Sequence, residues 1–401
     1  MPNLIKVVAA GDVDSGKSTL IGRFLYESRS LPNGLVEDIE EECERLGRNF
    51  EFAYLLDSFD EERKNELTVD TTQSFCKSGK NSGILFIDVP GHRELLKNML
   101  SGASYADTAV LTIAINKPIR EQTKRHAFIL KFLGINKIIT VINKMDLSGF
   151  DRNDFLRIKE QVRVSLEKLG IESCAYIPVS ASNGDNLLRR SKNTPWYHGK
   201  TLKETISGIR IKKRKESLRF LIQDIYDIAG ESVAAGIIIS GGLKIKNRVF
   251  VLPDKKEVQV KTIRYSGKKV SSATAPLAAG ITIKDTFSLR RGQVLSGSRM
   301  PPVVKEISGR IICTEDIELT SDLYIRCAMQ EEKVKITRIN HLWDTSDLSP
   351  KNPPLKKNDL AEITLSFNRG IVMEKYNFSD LLGRFVLVDN RDRIAAIGGA
   401  V

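Results

Sequence analysis

The sequence predicts an α/β domain built on a mostly parallel sheet, followed by two small antiparallel β-barrel domains. Three observations support this. Up to about residue 208, short continuous Val/Ile/Leu runs alternate with stretches of helical period, and strands apolar on both sides belong to sheets covered on both faces. Beyond about residue 219 the texture changes to short β-branched runs broken by Gly, Pro and charged turns, the rhythm of a small barrel. After Pro301 and Pro302 a second stretch of that kind runs to residue 401. Boundaries near 208 and 301 give three expected domains, 1–208, 209–300 and 301–401, a partition suited to the chain's length.

Within the first domain the apolar runs place strands at 5–10, 84–88, 108–115, 137–142 and 175–179. Helical periodicity places helices at 17–26, 92–100, 122–133, 152–169 and 202–206. A further helix at 36–46, stopped by Gly47, belongs to an insertion after the first strand–helix unit. Strands of the second domain are expected at 219–225, 235–239, 248–252, 258–264 and 281–283. Those of the third are expected at 308–313, 323–327, 333–341, 360–367 and 384–389.

Composition narrows the function. A hydrophobic fraction of 41% supplies real cores, and no apolar run approaches the ~18 residues of a membrane span. The opening MPNLIKVVAAGD lacks the cationic start, apolar stretch and cleavage site of a signal peptide. A cytoplasmic location and no membrane partner are therefore expected. The 5 cysteines are odd in number and scattered without a CxxC pair, so neither a disulfide framework nor a zinc site is expected. The net charge of +12 is uneven: residues 209–300 hold 19 basic and 7 acidic side chains, residues 1–208 hold 29 and 28, and residues 301–401 hold 14 and 15. A basic module suggests one contact surface. The run at 209–219 reads as a solvated linker, and no DNA partner is expected.

The strongest chemical signal is GDVDSGKS at 11–18, where Gly11, Gly16, Lys17 and Ser18 meet G-x-x-x-x-G-K-[ST] between an expected strand and an expected helix. Glycines let the backbone wrap closely around phosphate, whose oxygens then face successive N–H groups and the helix N-terminus. Lys17 would neutralise β/γ-phosphate charge and Ser18 would ligate Mg²⁺, with Asp14, Ser15 and Thr19 in the same cradle. A nucleoside triphosphate is the expected ligand. Asp88-Val89-Pro90-Gly91 ends the strand at 84–88. There Asp88 would hold Mg²⁺ through a water, and the Gly91 N–H would reach the γ-phosphate. Asn143-Lys144-Met145-Asp146 follows the strand at 137–142. Asp146 can accept from both the ring N–H and the exocyclic amine of guanine, a pattern adenine lacks, while Asn143 and the Lys144 stem brace base and loop. Ser180 and Ala181, in Ser180-Ala181-Ser182, would supply a backbone N–H to the guanine carbonyl. Four elements in this order specify GTP and GDP.

That order resembles the translation-factor class of GTPases, to which elongation factors Tu and 1-alpha belong. The resemblance implies an α/β P-loop GTPase domain ahead of the two barrels. By it, ERKNELTVD at 62–70 is similar to the first switch, with Thr68 closing on Mg²⁺ and the γ-phosphate. His92 is then the catalytic residue that positions the attacking water, and Lys17 stabilises the developing charge. Glu66 stands where the class has a switch glycine, and Val89 where Thr or Ala is common; both departures bear on hydrolysis and switching more than on nucleotide binding.

Within the class, GKSTLIGRFLYES, RRSKNTPWYHGKT and the terminal GRFVLVD resemble the GTPase (large) subunit of heterodimeric ATP sulfurylase. The insertion LVEDIEEECERLGRNFEFAYLLD is equally similar to the archaeal and eukaryotic elongation factor that delivers aminoacyl-tRNA. The first resemblance implies a heterodimer with a catalytic small subunit that makes adenylylsulfate from ATP and sulfate, driven by GTP hydrolysis here. The alternatives are delivery of aminoacyl-tRNA on the barrels, which the basic middle domain favours, and service to a different adenylyl- or nucleotidyl-transfer partner. His126 and His198 have no spaced metal partners and read as structural, and no Ser-His-Asp or Cys-His pattern is visible.

Overall fold

The computed structural model describes residues 3–56, 73–79, 82–88, 106–117, 119–209, 217–228, 230–284, 287–344, 348–376 and 378–401. The chain forms two compact units, 1–212 and 213–401.

In the first unit, strands β1 (Asn3–Gly11), β2 (Gln73–Gly79), β3 (Ser82–Asp88), β4 (Thr108–Ala114), β5 (Ile138–Asn143) and β6 (Ser173–Pro178) form one sheet in the order β2-β3-β1-β4-β5-β6. All neighbours are parallel except β2, which runs antiparallel to β3 at the edge. Every residue of β4 and β5 is buried, which is why their sequences are unbroken apolar runs. Helix α1 (Lys17–Glu27) packs Leu20, Ile21, Phe24 and Leu25 into the core, where the Phe24 ring meets Phe86 edge-on at 5.0 Å between centroids. Helix α2 (Leu35–Arg45) carries Glu37 and Asp38 in its first turn, where the helix dipole favours acids, and buries Ile39 and Cys43 against Leu55. Helices α3 (Glu121–Phe132), α4 (Arg152–Lys168) and α5 (Leu202–Ser207) follow among the described residues. Asp151 caps α4 and a Thr201–Glu204 capping box starts α5.

The expected elements of this unit recur with ends shifted by a residue or two. Two differences matter. The helix expected at 92–100 lies outside the described residues. Strand β2 was not anticipated, because QSFCKSG carries no apolar run: as an edge strand it buries Ser74 and Cys76 while Phe75 stays exposed.

Among the described residues the second unit holds two large antiparallel assemblies and a short pair, Gly242–Lys244 with Ser272–Thr274. A seven-stranded sheet runs in the order Arg248–Leu252, Val294–Ser296, Arg219–Ile228, Glu231–Ser240, Leu277–Ile283, Lys256–Tyr265, Lys268–Val270, and a further pairing of Arg248–Leu252 with Lys256–Tyr265 closes six of them into a ring. A closed barrel follows in the order Val303–Cys313, Leu360–Val372, Gln330–Trp343, Leu323–Cys327, Arg384–Asp389, Ile394–Ala400. Closure removes the sheet edges. Each has its own apolar core. A third cluster, with Leu221, Leu252 and Val294 from one and Val372 and Leu382 from the other, joins them.

Beside that joint cluster lies a buried ion pair. Arg219 donates from Nε and Nη2 to Glu374 Oε1 at 3.3 and 2.8 Å, and from Nη1 to Leu218 O, Ser296 Oγ and Arg299 O at 3.0, 3.1 and 2.8 Å. The guanidinium is thus satisfied on every side, the condition under which a buried charge is tolerated. Arg219→Ala strands the Glu374 carboxylate and is expected to cost about 3–5 kcal/mol. Urea unfolding followed by tryptophan fluorescence and circular dichroism measures this. The paired change Arg219→Met with Glu374→Leu, which removes both charges, is expected to recover most of the loss.

Candidate functional site

The phosphate-binding pattern sits where β1 turns into α1. Gly11 has φ +146°, and a Cβ there would meet Thr112 O of β4 at 2.3 Å. Gly16 has φ +84°, and a Cβ there would meet Asn143 Nδ2 at 2.4 Å. Only glycine meets both demands. Gly16 starts α1 with no side-chain cap, so the first-turn N–H groups are left for an anion. Lys17 is buried and folds back over the loop, donating to Gly11 O at 3.0 Å and Asp12 O at 2.8 Å. Burial lowers the pKa of its ammonium, while Asp88, Asp12 and Asp14 oppose that shift. Ser15 Oγ is buried and has no hydrogen-bond partner among the described residues; Thr19 follows, half-buried, in the first turn.

Two ion pairs hold this loop from the segment after β4. Lys117 lies 3.2 Å from Asp14 and Arg120 lies 3.4 Å from Asp12. The hydrogen bond from Lys117 keeps the exposed Asp14 carboxyl below the usual carboxylate range.

Register between β1 and β3 sets Ala9 opposite Asp88, which carries the carboxylate to the loop. Ser18 Oγ donates to Asp88 Oδ2 at 3.0 Å. A hydroxyl and a carboxylate held together at a helix start are hard oxygen donors that suit Mg²⁺, which needs few protein ligands when phosphate supplies others. The residues present therefore fit that ion. Among the described residues no group of three or more His, Cys, Asp or Glu is placed to hold a metal. Thr68, Gly91 and His92, with Glu66 and Val89, lie outside the described residues.

At the other end, β5 stops at Asn143, and Lys144 turns the chain with φ +63° into a short 3₁₀ turn, Met145–Ser148. Asn143 Nδ2 donates to Ser15 O at 2.9 Å, and Asn143 Oδ1 accepts from Ala181 N at 3.0 Å. One buried amide therefore ties the phosphate loop, the Asn143–Asp146 loop and the Ser180–Ser182 loop together. The Ala181 N–H is engaged by the Asn143 side chain. Asp146 is half-buried, and its Oδ1 accepts from Ser180 Oγ at 2.6 Å; Ser180 Oγ also meets Ser182 Oγ at 3.1 Å. The carboxylate is thus oriented by the Ser180 hydroxyl.

Three supporting residues were not read from the sequence as parts of the site. Asn186, buried with φ +57°, donates to Pro178 O and Thr194 Oγ1 and accepts from Ser191 N, bracing the loop after β6. Arg23 of α1 donates to Ser182 O and Asn183 O. His126 of α3, expected to be structural, is buried, with the Lys17 and Arg125 charges and the Gly11 backbone acting on its ring. A contact between residues so distant in sequence leaves no periodic or motif signal.

The family described as the elongation factor Tu GTP binding domain matches residues 2–228, and that described as GTP-eEF1A C-terminal domain-like matches residues 310–399. The chain is 32% identical over 407 residues to the elongation factor 1-alpha of Methanoculleus marisnigri, covering 98% of this chain and 96% of that protein. It is 34% identical over 405 residues to the elongation factor 1-alpha of Archaeoglobus fulgidus, covering 96% of this chain and 94% of that protein. The chain belongs to the elongation factor Tu and elongation factor 1-alpha family of translation-factor GTPases.

His126 generates a pH prediction. Burial first, then the Lys17 and Arg125 charges, lower its pKa from 6.5 to about 4, against a smaller opposing influence of the Gly11 backbone. Above pH 6.5 it is neutral folded or unfolded; as pH falls from 6.5 to about 4 only the unfolded chain takes up the proton, so stability is lost across that window. The loss is expected to be on the order of 3 kcal/mol. Unfolding free energies of the wild type and His126→Gln, measured across that range, are expected to converge toward the acid end; a constant difference would contradict the buried neutral imidazole.

Proposed function

We propose that this protein is a GTP-dependent carrier of aminoacyl-tRNA, its first domain binding and hydrolysing GTP and its barrels holding the cargo. The observation that carries the reading is the near full-length similarity to elongation factors 1-alpha, joined to a site whose phosphate loop and guanine loop are locked by Asn143. The sequence alone favoured the GTPase subunit of an ATP sulfurylase. Nothing in these matches points to that partner, and the similarity to named elongation factors spans both units, so the carrier reading takes its place.

The chemistry follows from the residues. First-turn amides of α1 and the Lys17 ammonium bind the β- and γ-phosphates. Ser18, with Asp88 through a water and Thr68 from the switch-like stretch, would hold Mg²⁺. When bound, that ion supplies neutralisation of charge shared between the β- and γ-phosphates. His92 orients the attacking water toward γ-phosphorus, in line with the bridging oxygen. The new P–O bond forms as the β–γ bridge breaks, GDP departs with the electron pair, and inorganic phosphate retains the water oxygen. Lys17 strengthens its contact as charge gathers on the leaving oxygen. Asp146, held by Ser180, accepts from the guanine ring N–H and amine. Cargo release requires that GTP and GDP forms bind tRNA with different affinity, since a ligand shifts an equilibrium only by its differential affinity.

Two measurements test this. Asp146→Asn is expected to move preference from guanine toward xanthine nucleotides, whose ring carries a carbonyl in place of the amine; nucleotide competition against labelled GDP reads it, and retained guanine selectivity would sink the base assignment. Filter binding of charged tRNA is expected to require the GTP form and to weaken steeply as salt rises, because phosphate contacts release counterions. Equal retention with GDP would defeat the carrier reading, and GTP-stimulated pyrophosphate exchange with a bound ATP-using subunit would restore the sulfurylase one.

A further inference from the structure

Arg23 lies on α1, six residues past Lys17, and its guanidinium is held on several sides. Nη1 donates to Ser182 O at 2.8 Å, Nη2 to Asn183 O at 3.1 Å, and Nε to Glu27 Oε1 at 2.8 Å. Its central carbon stands 4.6 Å from the centroid of the Phe52 ring and 5.9 Å from that of Tyr26. The loop is shaped around this side chain: Gly184 has φ +83°, and a Cβ there would meet Glu27 Oε1 at 1.9 Å and Arg23 Nε at 3.0 Å.

The two groups that Arg23 joins have different duties. The Ser182 and Asn183 carbonyls belong to the loop whose Ser180 hydroxyl orients Asp146 at 2.6 Å and meets the Ser182 hydroxyl at 3.1 Å. Phe52 belongs to the segment that leads through Leu56 toward the switch-like stretch at 62–70. That segment is pressed against the same helix, since a Cβ on Gly22 would meet Phe52 O at 1.9 Å. Arg23 sits between them with a side chain 21% exposed; its ion pair with Glu27 is partly buried, while its charge-assisted bonds to Ser182 O and Asn183 O lie at the surface.

We propose that Arg23 is a positioning residue that ties the guanine-recognition loop to the segment entering the first switch, so that selection for the guanine amine depends on where Phe52 lies. A planar fork is required for this. Lysine gathers its three donors on one compact nitrogen, which cannot reach two carbonyls and a carboxylate spread around the fork and has no flat face to set against a ring. The inference rests on the assignment of Asp146 as the base-recognition residue.

Affinities for GDP and for inosine diphosphate, which lacks the exocyclic amine, test it in the full chain by competition against a fluorescent guanine nucleotide. The GDP-over-inosine preference is expected to fall about three- to tenfold in Arg23→Ala, the scale of one oriented hydrogen bond. Arg23→Lys is expected to leave it low, and Phe52→Leu to lower it partly. The double variant Arg23→Ala with Phe52→Leu is expected to lose no more than Arg23→Ala alone, because the two side chains act as one connection. Should Arg23→Ala fail to fold, Arg23→Lys and Phe52→Leu, singly and combined, carry the same comparison. Equal weakening of GDP and inosine diphosphate would mean general structural support and overturn the inference, as would losses that multiply in the double variant. A wild type without preference for GDP would remove the Asp146 assignment itself, and the inference with it; a wild-type preference that persists unchanged in Arg23→Ala removes the inference alone.

Discussion

The first unit's nucleotide site depends on one close approach, that of the Asn143 side chain to the backbone of the phosphate loop. The amide donates to Ser15 O and accepts from Ala181 N, at 2.9 and 3.0 Å. It lies so near Gly16 that a single Cβ would collide with it. Three loops that leave different strands are thereby referred to one buried group. A buried amide bonded through both its nitrogen and its oxygen is costly to displace, because either half would be left without a partner. The geometry of the phosphate loop and of the Asn143–Asp146 loop is therefore set together, and Asp146 is held from the same group of loops through Ser180.

Electrostatics at the site are local. The overall excess of positive charge lies in residues 209–300, whereas the phosphate loop surrounds its lysine with Asp12, Asp14 and Asp88. Backbone amides and one buried ammonium suffice to face phosphate, and the neighbouring acids oppose the lowering of that ammonium's pKa by burial. Lys117 and Arg120 in turn hold Asp14 and Asp12. In the second unit the same principle appears without a ligand: Arg219 and Glu374 are buried together because every guanidinium nitrogen has an acceptor.

Much of the site was legible because its parts are local. Gly11, Gly16, Lys17 and Ser18 lie within eight consecutive positions, and a strand before them and a helix after them follow from apolar periodicity. Asn143 and Asp146 share one turn, as do Ser180 and Ser182. The supports were not legible. Asn143 meets Ser15 across 128 positions, and Arg23 meets Ser182 across 159. His126 reaches Gly11 only because α3 returns against β1 and β4. The edge strand β2 escaped for a related reason: its polar sequence becomes a strand by pairing with β3, so its conformation is conferred by a neighbour.

Taken alone, the sequence determined the order of sheet and barrels and pointed to the nucleotide class, since each is written as a period or a short motif. It also admitted more than one partner, because the motifs of the class are common to factors with different cargo. Only the tertiary structure decided how those residues are held: which amide joins the loops, that the Ala181 N–H is already engaged, that Arg23 spans from Phe52 to the guanine loop, and that Arg219 and Glu374 share a joint between two barrels. The physical reason is the range of the interactions. Propensity and periodicity act over a few residues, whereas hydrogen bonds and ion pairs between loops exist only once a sheet has brought distant segments within 3 Å or so of one another.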